Sequence, residues 1–266
     1  MKNKKKYIFA ALVLLSVLLI AGVCFAAGES ANSGWENSKF YLNFVKDSRW
    51  KYLTTGLATT LIISFFAVLI GIVLGFIIAI VRSTCDMAEK KTFLTKAING
   101  IFKAYITVIR GTPSLIQLLI IYYVIFTSPN ISKTFVAVIS FGLNSSAYIA
   151  EIVRSGIMSI DIGQFEAGRS LGFTHAQTMW HFILPQAFKN ILPPLGNEFI
   201  VLVKETAIVG YVALSDLTRV ANQISARTYE AFMPLIGAAV IYFIITKILS
   251  ILLGMMERRL RKSDNR

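Results

Sequence analysis

The residues whose types and spacing could do chemistry are charges set inside apolar stretches. Glu198 lies in the stretch 191–214, less than two turns after Pro193-Pro194, and Asn197, Lys204 and Glu205 share that stretch. Arg110 stands near the start of the stretch 105–126, beside Gly111 and Thr112 and before Pro113. A charge at mid-bilayer costs on the order of 2.5–3.5 kcal/mol on insertion scales, so such residues face a cavity or a partner. The chemistry they offer is ion recognition. A carboxylate at 198 beside a helix break could take an ammonium or guanidinium group, because transporters build polar sites where helices break. The other reading of Glu198 is a pair or hydrogen bond inside the bundle. Arg110 could grip a carboxylate bidentately, brace a neighbouring helix, or snorkel to the interface. Lys204 and Glu205 are adjacent, so they point to different sides of a helix. Glu151 and Arg154 are three apart and can pair on one face as a structural latch. His175 and His181 share no ligand spacing with Cys, Asp or a third His, so neither metal binding nor catalysis is expected of them. No Gly-x-x-x-x-Gly-Lys-Ser/Thr phosphate loop occurs, so any ATP that drives this protein is hydrolysed on another chain.

The elements that must hold these charges are membrane spans. Of 266 residues, 55% are hydrophobic and 15% charged, which is too apolar for an ordinary soluble domain. Runs near 20 apolar residues recur, long enough to cross a bilayer as helices. The expected fold is an all-α membrane protein with core spans at 54–81, 105–126, 134–152, 191–214 and 233–256. Residues 1–28 read as a signal peptide, with a passable cleavage site at Cys24-Phe25-Ala26, or as a sixth, anchoring helix; the length of the apolar run favours the anchor. Residues 29–51 read as an external linker, 52–259 as the transmembrane domain and 260–266 as a basic cytoplasmic tail. Gly71 and Gly75 are spaced for close helix approach. Apolar residues at 93, 94, 97, 98, 101, 102 and 105 form one stripe opposite Lys91, Lys96 and Lys103. That stripe predicts a helix lying on the inner membrane face before it turns into the span at 105. Cys24 and Cys85 fall on opposite sides of this topology, so no disulfide between them is expected.

The net charge of +13 sets orientation rather than marking a nucleic-acid binder. Segments placed inside hold 17 of the 27 Lys and Arg residues, against 7 outside. This is the positive-inside pattern, and it puts residues 151–190 in the cytoplasm.

That inner segment contains a polar island, GQFEAGRSLGFTHAQTMWHFILP at 163–185. It reads as two short helices with a corner between them. Asp161 with Gln164, and Thr174 with Gln177, have capping-box spacing. Gly172 suits a left-handed helix stop, and Pro185 is expected to limit the second helix. The island is too polar for lipid and too apolar to lie bare in water, so it calls for a protein partner. A helix-turn-helix nucleic-acid reader also uses such a corner, but Arg169 is the one Arg here before Lys189, and phosphate binding needs a basic face.

Glu166-Ala167-Gly168, then Gly172, then Leu184-Pro185 resembles the EAA loop of ABC-transporter permeases, with Gly168 in place of the second Ala and Phe182 at an Ile position. The resemblance runs over about residues 50–259. It is closest to permeases for polar amino acids, through RGTPSLIQL (110–118), AYIAEIVRSGI (147–157) and LGNEFIVLVKETAI (195–208). It implies a type I ABC importer permease core and a docking loop over 161–185. Gly163, Gln164, Glu166, Ala167, Gly168, Arg169, Leu171, Gly172 and Phe173 would then meet an ATPase subunit, which carries the ATP and Mg. The substrate path would draw on Glu198, Asn197, Lys204, Arg110 and Thr112. The implied partners are two ATPase subunits, a second permease subunit, an extracytoplasmic amino-acid-binding protein, the amino acid itself and the bilayer of a bacterial plasma membrane. The rival expectation is a secondary transporter working alone, which has no need of a docking island.

Overall fold

The computed structural model describes residues 38–87 and 92–262. The N-terminal run, Cys24 and residues 29–37 of the expected linker lie outside these residues. The described chain is helical: α1 (Arg49–Met87), α2 (Phe93–Gly111), α3 (Ser114–Ile120), α4 (Lys133–Met158), α5 (Ile162–Ser170), α6 (His175–Thr178), α7 (Leu184–Glu205), α8 (Leu217–Thr228) and α9 (Phe232–Lys262). Residues 41–48, at the end of the expected linker, already form helical turns, with a π turn at Tyr41–Val45. Phe44 of this turn packs against Gly237 of α9.

Among the described residues three helical stretches are long and apolar enough to cross a bilayer, Tyr41–Asp86, Lys133–Met158 and Phe232–Leu260; α2 with α3 and its π-helical extension passes the same test as a pair, bent by 108°. The remaining expected span is α7. It carries Lys189, Glu198, Lys204 and Glu205 and packs against α1, α4 and α9. Of these charges Glu198 is buried and is met by Ser145 of α4, while Lys204 is exposed. On α1, by contrast, Ile62, Phe65, Phe66, Leu69, Val73, Ile77 and Ile80 make one exposed apolar stripe, the surface expected against acyl chains or another subunit.

The centre of the bundle is the crossing of α1 and α4. A Cβ on Gly71 would sit 2.9 Å from Ser145 Oγ, one on Gly75 would sit 2.7 Å from Ile149 Cγ2, and one on Gly142 would sit 2.8 Å from Ile70 Cγ2. Small residues on both helices thus let the backbones meet, as the Gly71/Gly75 spacing predicts.

Two expectations are corrected. The chain does not turn at residue 105. α2 runs on to Gly111, and Thr112 is extended at φ −121°, ψ 147°. The ring of Pro113 crowds the α conformation of the residue before it, so the bend falls there. Nor does Pro193-Pro194 break a helix. α7 passes through both prolines because it is clamped on either side of them. Ile191 fills the space a Cβ on Gly156 would need, and Leu253 lies against Gly196.

The α1–α4 crossing gives a signed prediction. Gly75→Ala forces a clash and should destabilise the detergent-solubilised protein by about 1–3 kcal/mol. Gly100→Ala, where a Cβ meets nothing within 4 Å, should be neutral or stabilise by up to about 1 kcal/mol, since Ala is the better helix former. Thermal melting of the two variants checks both signs.

Candidate functional site

The island folds into the expected corner. Asp161 caps α5, its Oδ1 accepting from the Gly163 amide at 2.6 Å. Gln164 does not complete that capping box; its side chain accepts from Gln186 Nε2 at 3.3 Å. The helix stops at Gly172, φ +82°. The Phe173 amide donates to the Gly168 carbonyl at 3.0 Å and the Gly172 amide to the Arg169 carbonyl at 3.0 Å, the paired bonds of a Schellman motif. Thr174 and Gln177 form a complete capping box at the start of α6. Phe173 and Phe182 close the corner edge to face at 5.2 Å, and Phe165 stacks on His175 at 6.1 Å.

Gln164, Glu166, Ala167, Arg169, Leu171, Gly172 and Phe173 are exposed, Gly163 is half-buried and Gly168 is buried. The departure at Gly168 has a physical reason. A Cβ there would lie 2.6 Å from Thr178 Cγ2 and Oγ1, so Gly168 serves the packing of α5 on α6. Leu171 is 73% and Trp180 68% exposed, so the corner presents apolar as well as polar surface.

Pro185 does not end the second helix. α6 widens into a π turn at Met179–Ile183, and α7 follows without a break. In that turn the Leu184 amide donates to the Met179 carbonyl. The ladder therefore shifts by one residue just before Pro185, which has no N–H to give. Residues 175–205 form one helical run, continued to 212 by a 3-10 segment.

The middle of that run borders a cavity of about 480 Å3 whose lining includes Arg110, Tyr148, Glu151, Asn190, Pro194 and Glu198. Glu198 is buried and accepts from Ser145 Oγ at 3.0 Å. The hydrogen bond inside the bundle is thus present, and the same carboxylate lines the cavity. Arg110 lies over the Tyr148 ring at 5.3 Å, and its Nη1 is 3.7 Å from Glu151 Oε2. The other candidates are placed elsewhere. Asn197 and Lys204 are two turns apart on an exposed stripe of α7. The Thr112 hydroxyl donates to the Val108 carbonyl at 2.8 Å.

The Glu151–Arg154 pair expected from spacing is present at 3.9 Å, but Glu151 is held more closely by Arg82, at 3.0 Å. Arg82 also donates to Asn99 Oδ1 at 3.3 Å, Asn99 donates to Asp86 Oδ1 at 2.7 Å, and Arg154 reaches Asp86 at 3.9 Å. This network joins the C-terminal ends of α1 and α4 to the first half of α2. Sequence reasoning missed Arg82, Ser145 and Tyr148 as neighbours of the cavity charges. Polar residues inside the apolar run of α4, Asn144-Ser145-Ser146, carry the signal that would have found Ser145.

Apolar spans around a charge-lined cavity, with a capped corner at one end, define the membrane-embedded subunit of a transport system. The profile of the family described as binding-protein-dependent transport system inner membrane component matches residues 71–262, and the chain belongs to that family. It is 40% identical over 215 residues to the arginine transport system permease protein ArtQ of Bacillus subtilis, covering 80% of this chain and 94% of that one. It is 37% identical over 221 residues to the L-cystine transport system permease protein TcyB of the same organism, covering 82% and 90%. A chain of the crystal structure of an amino acid ABC transporter with histidines superposes with a TM-score of 0.72 at 45% identity, covering 81% of this chain and 98% of that one. A chain of the inward-facing MetNI methionine ABC transporter shares the fold at 20% identity, with a TM-score of 0.68 and coverage of 81% and 98%.

The corner makes its own prediction. A Cβ at Gly172 meets nothing within 4 Å, so Gly172→Ala carries only the cost of a left-handed backbone, about 1–2 kcal/mol. Hydrogen exchange should quicken across 163–178 while the melting of the bundle stays unchanged.

Proposed function

We propose that this chain is the permease subunit of an ATP-driven importer for polar amino acids, acting in a bacterial plasma membrane. The observation that carries the reading is the cavity that holds Arg110 and Glu198 together. A zwitterionic amino acid presents a carboxylate and an ammonium, and these two side chains are their complements. The Glu198 carboxylate also suits a second cation on a side chain, so cationic amino acids fit best. Arg110 approaches Glu151 at 3.7 Å, too loose for a paired fork, and a substrate carboxylate would compete for it.

The exposed corner with Glu166 at its centre is the surface for a separate ATPase, which binds ATP and Mg. A carboxylate there meets a basic residue of the partner; Glu166 lies beyond the first turn of α5, so the helix dipole gives it no structural task of its own. A second permease subunit and an extracytoplasmic amino-acid-binding protein complete the assembly. ATP closure of the ATPase pair draws the corners together, and the helical run from 175 carries the movement to Glu198. The similarity to the permeases for arginine and cystine supports an amino acid as the cargo.

Uptake of a radiolabelled amino-acid panel by proteoliposomes tests this, with the chain, its ATPase and its binding protein present and ATP inside. ATP-dependent uptake of amino acids is the expected result; uptake that ignores ATP or proceeds without the partners would show a carrier working alone. Glu166→Lys should abolish ATP-coupled uptake while the subunit stays folded; intact uptake in that variant would remove Glu166 from the docking surface. Glu198→Gln should slow saturated uptake of cationic amino acids by about tenfold, about 1.4 kcal/mol, and that of neutral ones less. Equal rates for every substrate would take Glu198 out of the path.

A further inference from the structure

Gln117 is a buried amide among the apolar residues that follow Ser114 in α3, and it spends every hydrogen-bonding group on one task. The two protons of its Nε2 serve the Ile109 carbonyl and Thr112 Oγ1, both at 2.7 Å, with one of them shared by the Thr112 carbonyl at 3.1 Å. Its Oε1 accepts from Asn144 Nδ2 at 2.9 Å, and Asn144 is buried as well. The amide orientation is fixed by chemistry. Two of its neighbours are carbonyl oxygens, which need a donor, so the NH2 group must face them and Asn144 must supply its own NH2 to the oxygen. Thr112 completes the logic, since its hydroxyl proton is given to Val108 and a lone pair is left for Gln117.

Ile109 and Val108 are in the last turn of α2, where carbonyls lose their helical partners. Gln117 therefore caps α2 from α3, across the 108° bend, and fixes the backbone on either side of Arg110. Asn144 then ties this cap to α4. Tyr148 and Glu151, the two residues that hold the Arg110 side chain, follow Asn144 at four and seven residues, on the same face of α4. Ser145, next to Asn144, bonds Glu198. One helix thus sets the positions of both cavity charges, and Gln117–Asn144 is the bond that registers the bend to it.

We propose that Gln117 and Asn144 are positioning residues that place the Arg110 guanidinium for the substrate carboxylate and so set carboxylate selectivity. The inference rests on the substrate reading above. It assigns the pair a role beyond stabilising the bend, and that role has its own signature. Loss of the pair should weaken binding of a free amino acid but not of its carboxamide, which has no carboxylate for Arg110.

The test is equilibrium binding to the purified permease–ATPase complex without the binding protein. The probes are arginine against argininamide and glutamine against glutaminamide. Gln117→Leu should lower the acid-over-amide affinity ratio about tenfold, about 1.4 kcal/mol. Arg110→Ala should lower it as far, and adding Gln117→Leu to Arg110→Ala should change nothing more, because one residue acts through the other. If Gln117→Leu does not fold, Asn144→Leu, which leaves the cap on α2 in place, should lower the ratio in the same direction by a smaller factor. An unchanged ratio in the folded Gln117 or Asn144 variant, with the ratio lowered in Arg110→Ala, overturns the positioning role and leaves the substrate reading standing. An unchanged ratio in Arg110→Ala, or no binding of either acid to the unsubstituted complex, overturns both.

Discussion

The structure depends on a helix that continues where its sequence says it should break. Residues 175–205 hold three prolines, Pro185, Pro193 and Pro194, and each removes a backbone donor and crowds the carbonyl four residues earlier. Two devices absorb that cost. The π turn at Met179–Ile183 re-registers the ladder ahead of Pro185. The close packing of Ile191 on Gly156 and of Leu253 on Gly196 holds the helix on both sides of the double proline, and the helix is continuous through it. Without those contacts the capped corner and the buried Glu198 would be ends of two separate helices. With them, a displacement of the corner is a displacement of Glu198.

The second organising element is α4. Its small residues meet α1 at the centre of the bundle, and its polar residues serve the cavity. Ser145 bonds Glu198, Tyr148 lies under Arg110, and Glu151 gathers Arg82, Arg110 and Arg154. A polar side chain inside a span is expensive unless it is paired, and on α4 the pairing partners are the charges of the cavity. The cost of burying Glu198 is met by a hydroxyl donor, while its remaining surface is left for the cavity.

Local chemistry made the corner legible in the sequence. Gly172, Thr174 and Gln177 carry their conformations in their residue types, and the Schellman motif and capping box followed. The spans were legible for the same reason, since hydropathy and Gly spacing are local signals. What could not be read was tertiary. The helix through Pro193-Pro194 depends on Gly156 and Leu253, which lie far off in sequence. The partners of Arg110 and Glu151 come from three different helices. The bend at Thr112-Pro113 was misplaced because the stripe before it predicts a helix at the membrane face but not its end, whereas the proline rule does. Asn197 and Lys204, which the resemblance groups with Glu198, are exposed on α7 and do not line the cavity that Glu198 and Arg110 share.

The most direct test of this account measures the helix itself. Spin labels at positions 180 and 204, both exposed on the run and roughly 35 Å apart by helical rise, report its length in the complex with the partner ATPase. Cys24 and Cys85 are replaced by serine for the experiment. The distance should be the same without nucleotide and with ATP trapped, while the separation of the two corners in the assembly shortens. A label distance that changes between the two states would place a hinge at Pro193-Pro194 and contradict the transmission of movement through an unbroken helix.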